Sequence, residues 1–111
     1  MSAAEMIPYE GDEALRDDVL RALATVVDPE IGLSVVDVGL VYGVRVEPSR
    51  VHVEITMTSA ACPVAELIAD EIGTAVSTAL PDARPVEVAL CWDPPWTPER
   101  MSDVARAAMG W

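Results

Sequence analysis

The 111-residue chain sets 7 Lys and Arg against 19 Asp and Glu, a formal net charge of -12, so it repels a phosphate backbone and non-specific nucleic-acid binding is excluded. With 51% hydrophobic residues it can bury roughly two thirds of its unfolded surface as one domain, and needs neither a metal nor a disulfide merely to fold. No run approaches the roughly 20 apolar residues that span a bilayer, and MSAAEMIPYEGDE has neither a basic segment nor a continuous apolar core, so a cytoplasmic protein is expected.

Residues 1–11, with Pro8, Gly11 and little periodicity, are expected to form a flexible acidic arm, leaving residues 12–111 as the single domain. From Asp12 the pattern changes. Leu15, Val19, Ala22, Leu23 and Val26 share a stripe at helical spacing, with Asp12 placed to cap the start. This helix should end near Val27, because the residue before Pro29 is pushed away from helical geometry. The stretch DPEIGLSVVDVGLVYG mixes turn formers with apolar residues and reads as a shaped loop leading into a strand. Leu40, Tyr42, Val44 and Val46 then alternate with Val41, Gly43, Arg45 and Glu47. After a turn at Pro48 and Ser49, Val51, Val53, Ile55 and Met57 take one face while His52, Glu54, Thr56 and Thr58 take the other, which predicts an antiparallel hairpin with one buried side.

Beyond Cys62-Pro63, the residues Val64, Ile68, Ile72, Ala75, Val76 and Ala79 return to helical spacing, with Glu66, Asp70, Thr74 and Ser77 facing out. Pro81, Asp82 and Pro85 break that helix, and VEVALCW alternates as a third strand. The end, WDPPWTPERMSDVARAAMGW, reads as a proline-stiffened loop and a short helix capped by Thr97, with Pro98 in its first turn. The order helix, strand, strand, helix, strand, helix predicts an α/β (α+β) two-layer sandwich with a small mixed sheet. The order of strands within that sheet does not follow from the pattern.

Cys62 stands where a strand gives way to a helix. With Pro63 at the first helical position it occupies the N-cap, where unpaired N–H groups and the helix dipole favour a thiolate. The alternative is a small buried cysteine that fills space. A nucleophilic thiolate needs a base. The sole histidine, His52, precedes Thr58 by six residues on the same strand, which at about 3.3 Å per residue puts it roughly 20 Å from the strand's end. A cysteine hydrolase is therefore disfavoured, and His52 reads as a solvated sheet residue.

Cys62 and Cys91, without a histidine pair nearby, do not make a four-ligand zinc site in one chain, and a reducing compartment keeps both as thiols. Two copies in a symmetric dimer would total four thiolates, the complement of an iron-sulfur cluster, although Cys91 also reads as an ordinary strand residue. Asp28, Glu30 and Asp37 either cap turns or position a partner or metal beside Cys62. Trp92 and Trp96 either cover a sheet edge or make a protein contact.

Four stretches in order, DPEIGLSVVDVGLVY, TMTSAACP, VAELIADEI and WDPPWTPERMS, together resemble the metal-sulfur cluster biosynthesis family once catalogued as domain of unknown function 59. That family includes the SufT proteins, the phenylacetate-degradation D protein and a cytosolic iron-sulfur assembly factor of eukaryotes. The resemblance spans residues 15–109. It implies the small α/β fold of iron-sulfur cluster assembly domains and a non-enzymatic role in maturation, carrying or transferring clusters to apo target proteins. Carried over position by position, it implies that Cys62 is the reactive, metal-contacting cysteine and that Thr58 is the threonine before it. The acidic motif falls on Asp28 and Glu30, and the second acidic position on Asp37 ahead of Gly39-Leu40.

The implied cargo is a transient iron-sulfur cluster or iron, with nothing tightly bound. The implied partners are an iron-sulfur scaffold and client apo-proteins, with a homodimer left open and neither nucleic acid nor membrane involved. Two departures qualify the likeness. SAA precedes the cysteine where relatives often carry proline or glycine, and the cysteine-rich extension of the phenylacetate-degradation D proteins does not follow Trp111, which favours a general over a dedicated maturation role. The rival reading is a cofactor-free adaptor whose loop carboxylates and residues 92–96 link a scaffold to clients.

Overall fold

The computed structural model describes residues 7–29, 31–58, 65–82 and 84–110. Helix α1, Glu13–Ala24, starts where the sequence placed it: Asp12 Oδ1 accepts the N–H of Ala14 at 2.9 Å, and Val19, Leu20 and Leu23 are buried. It stops at Thr25, whose hydroxyl and N–H both turn back to the Ala22 carbonyl, at 2.6 and 3.1 Å. The end therefore falls short of Val27, because a local threonine bond competes with the next helical turn.

The expected loop over DPEIGLSVVDVGLVYG contains regular structure. β2, Val27–Asp28, pairs antiparallel with β3, Leu33–Ser34, and α2, Val35–Val38, follows at once. Ser34 caps α2 by accepting the N–H of Val36. Elements of two and four residues are too short to show a hydrophobic period, so pattern reading passes over them.

β4, Val41–Val46, and β5, Val51–Ile55, form the predicted antiparallel hairpin. Their register slips between Val41 and Gly43, with Val41 opposite Ile55 and Gly43 opposite Glu54, so Tyr42 is the extra residue of a bulge. The bulge shifts the phase of the strand: Leu40 and Val41 are buried before it, Val44 and Val46 after it. Tyr42 thus leaves the face expected for it and donates its hydroxyl to the Pro94 carbonyl at 2.6 Å.

On β5 the expected alternation holds, with Val51, Val53, Ile55 and Met57 all buried. They share one core cluster with Ile68, Ile72 and Val76 of α3, Ala65–Ala79, where each such side chain contributes about 1.5–3 kcal/mol on burial. Thr56 departs from its polar neighbours His52 and Glu54, because it is completely buried.

β6, Val86–Leu90, runs parallel to β5, and the sheet order is completed at the far edge by β1, Tyr9–Gly11, parallel to β4, giving β1-β4-β5-β6. The flexible arm expected over residues 1–11 is thereby corrected for its described part: Ile7 is buried and residues 9–11 are an edge strand. Three residues held by a neighbouring strand carry no signal of their own. Arg84 ties the approach to β6 onto the β4–β5 turn, donating to the Glu47 carbonyl at 2.7 Å while gripping both oxygens of Asp82 at 2.9 Å. The second contact holds the Asp82 carboxyl below its ordinary range.

The chain closes with a 3₁₀ turn, Pro98–Arg100, and α4, Asp103–Met109. The cap expected at Thr97 belongs instead to Ser102, which accepts the N–H of Ala105 at 3.1 Å. Thr97 only opens the 3₁₀ turn and makes no side-chain cap bond.

Among the described residues the Thr56 hydroxyl is buried without a hydrogen-bond partner, a costly state for a polar group. Thr56→Val keeps the branched shape and removes the hydroxyl. Urea titration is expected to show a gain of about 1 kcal/mol; a loss of stability would mean that the hydroxyl serves a contact in solution.

Candidate functional site

One end of the sheet gathers the start of β4 and the ends of β5 and β6. Thr56 donates its N–H to the Leu40 carbonyl at 2.8 Å, and Cys91 donates its N–H to the Ile55 carbonyl at 2.7 Å. The ladder therefore continues one residue past each strand. Thr58, two residues beyond Thr56, emerges exposed.

Asp37 sits in the first turn of α2, half-buried, and its carbonyl accepts the N–H of Ser102 at 2.8 Å. Gly39 and Leu40 carry the chain directly from α2 to the Thr56 contact, so Asp37 and Thr58 belong to the same end of the sheet. Asp28 closes β2 and is only 2% exposed; its carbonyl accepts from Ile31 and Gly32, at 3.3 and 2.7 Å. The Val26 carbonyl, just before β2, accepts the N–H of Val35 at 2.9 Å and holds this hairpin onto α2. Of the five site residues expected from the sequence, Asp28, Asp37 and Thr58 are placed in this way. Cys62 and Glu30 lie outside the described residues.

The C-terminal segment folds over the same end. Trp96 donates its indole N–H to the Val38 carbonyl at 2.8 Å and packs partly buried against the core. The Arg100 guanidinium lies over the Tyr42 ring, 4.1 Å from its centroid. The two tryptophans weighed together in the sequence thus part company: Trp96 covers the fold, while Trp92 is 45% exposed. Tyr42, Arg100 and Ser102 were not singled out from sequence, because each acts through a partner far away along the chain.

Cys91 is a free, half-buried thiol whose S–H donates to the Asp93 carbonyl at 3.0 Å. His52 pairs across the sheet with Arg45 and Glu87, in a row well away from the ends of β5 and β6. Its ring nitrogens lie 3.5 Å from Glu47 and 3.3 Å from Glu87, so it is half-buried between carboxylates rather than fully solvated. Among the described residues, no three His, Cys, Asp or Glu side chains gather as a metal-holding group, and no helix is long and apolar enough to cross a membrane.

A four-stranded mixed sheet with its acidic turn and aromatic C-terminal segment folded over one end makes this chain a small mixed α/β domain. The solved structure of a domain of unknown function, DUF59, from Bacillus anthracis superposes on 88% of this chain and 93% of its own length, with a TM-score of 0.82 and 38% identity. The chain belongs to the family described as iron-sulfur cluster assembly protein, which matches residues 16–90. It is similar to the Fe-S protein maturation auxiliary factor YitW of Bacillus subtilis, 43% identical over 100 residues that cover 89% of this chain and 97% of the relative. It is also similar to the Fe-S protein maturation auxiliary factor SufT of Staphylococcus aureus, 41% identical over 86 residues, 77% of this chain and 97% of the relative. The resemblance stated from the four sequence stretches is therefore that of a SufT-like member of this family.

Gly39 ends α2 with φ at 82°, and a Cβ there would run into the backbone oxygen of Arg100. Gly39→Ala is expected to cost more than about 1 kcal/mol, since it combines a left-handed backbone with a backbone clash. Thermal unfolding checks this; an unchanged midpoint would mean that the two segments are not packed as described.

Proposed function

We propose that the chain is a non-enzymatic cytoplasmic factor of iron-sulfur cluster assembly, which carries or transfers clusters to apo target proteins through the thiolate of Cys62. The observation that carries this reading is the family match over residues 16–90, which includes Cys62 and all four of its proposed companions, Thr58, Asp28, Glu30 and Asp37. Thiolates are soft ligands suited to iron-sulfur chemistry. One thiolate per chain leaves the ligation of a cluster incomplete, and incomplete ligation suits a cargo that must leave again. The carboxylates would orient an iron or a partner beside the sulfur, and a second copy of the chain could complete the ligand set. Scaffold and client apo-proteins are the partners this chemistry requires.

A cofactor-free adaptor is the second reading, and one observation favours it. Leu90 and Trp92, at the end of β6, are large apolar side chains left exposed beside the same end of the sheet, the kind of residue that anchors protein contacts.

Anaerobic reconstitution with iron and sulfide, followed by visible absorbance and by activation of an apo iron-sulfur enzyme, separates the two. With Cys62→Ser both signals are expected to fall together by at least about tenfold, because loss of a direct ligand costs no less than loss of its supporting contacts. Absorbance in neither protein would sink the carrier reading and favour the adaptor.

A further inference from the structure

A helix of four residues cannot hold itself together, and its last carbonyls have no partners inside it. In α2 all four carbonyls are nevertheless engaged. Val35 and Val36 accept from the N–H groups of Leu40 and Gly39, at 3.0 and 3.1 Å. Asp37 accepts from the Ser102 N–H at 2.8 Å and Val38 from the Trp96 indole at 2.8 Å. The first pair of bonds is local; the second pair is brought from some 60 residues away along the chain.

The donors of that second pair lie in residues 94–102, beyond the stretch matched by the family. Three more contacts fix the same segment: Tyr42 donates to the Pro94 carbonyl, Arg100 stacks on the Tyr42 ring, and the Arg100 backbone fills the space that a side chain on Gly39 would need.

We infer that residues 94–102 are a clasp that holds α2 in place, and that Trp96 is a positioning residue acting through the Val38 carbonyl on Asp37. The inference rests on the maturation reading for what Asp37 is positioned to do. The geometry of the clasp does not depend on that reading.

Trp96→Phe keeps an aromatic ring over the core and removes only the indole N–H. Amide hydrogen exchange reads the consequence directly, because the N–H groups of Gly39 and Leu40 close α2. Their exchange is expected to quicken about fivefold more than that of Ile72, in the middle of α3, which reports global unfolding. In cluster transfer to an apo-enzyme, Trp96→Phe is expected to slow the rate several-fold. Adding Asp37→Asn should then cost much less than it does alone, since residues acting through one turn are coupled.

Equal acceleration at Leu40 and Ile72 would overturn the clasp. Local acceleration with wild-type transfer, or losses that simply multiply, would overturn the positioning role. If the wild-type protein transfers nothing while the local acceleration persists, the clasp stands and the maturation reading fails.

Discussion

The architecture of this end of the molecule depends on one constraint: a single helical turn placed between two β elements must find partners for backbone groups it cannot satisfy alone. Ser34 supplies an acceptor at the front of α2, Gly39 and Leu40 return to its first two carbonyls, and Trp96 and Ser102 reach its last two. Because Leu40 also accepts from Thr56, the same turn sets where β4 begins and how β5 ends. The acidic turn, the strand end carrying Thr58 and the C-terminal segment are thus one connected unit rather than three neighbouring loops.

Beneath that unit the core is built from valine, isoleucine and leucine on the inner face of β4 and β5 and on α1 and α3. Branched side chains suit a half-buried pleated sheet. The outer face of the sheet is charged instead: Arg45, His52 and Glu87 lie in one row, and Arg50 and Glu47 extend it. Several arginines are already committed to nearby carboxylates, among them Arg45 to Glu10 at 3.2 Å and Arg84 to Asp82 at 2.9 Å. An exposed pair such as Arg45 with Glu10 contributes little stability. These pairings leave the excess of acidic residues to set the field around the protein, which discourages anionic polymers and favours cationic surfaces on a partner.

Long elements were legible without coordinates. α1 and α3 show their apolar stripes over 12 and 15 residues, and β5 alternates cleanly because every inward residue is apolar. β4 was legible only in part, since the bulge at Tyr42 breaks the period in the middle of the strand. β1, β2, β3 and α2 left no readable trace, each being held by partners rather than by its own pattern. The cap of the last helix was misplaced for a related reason: Thr97 and Ser102 are both plausible caps by residue type, and the intervening Pro98–Arg100 turn decides between them. Within the candidate site, Cys62 stood out by its place before Pro63 at a strand-to-helix corner, while Thr58 and the binding role of the carboxylates were reached through motif resemblance. Spacing alone favoured the capping reading for Asp28, Glu30 and Asp37.

The sequence by itself determined the composition of the two layers, the main helix and strand order and membership of the iron-sulfur assembly family, because periodicity and motifs are written in neighbouring residues. Only the tertiary structure decided that Trp96 turns inward while Trp92 stays out, that Tyr42 leaves its strand's alternation, and that residues 94–102 close over Asp37. The physical reason is distance along the chain: an unsatisfied carbonyl in α2 is invisible in the sequence until the fold brings its donor from the other end.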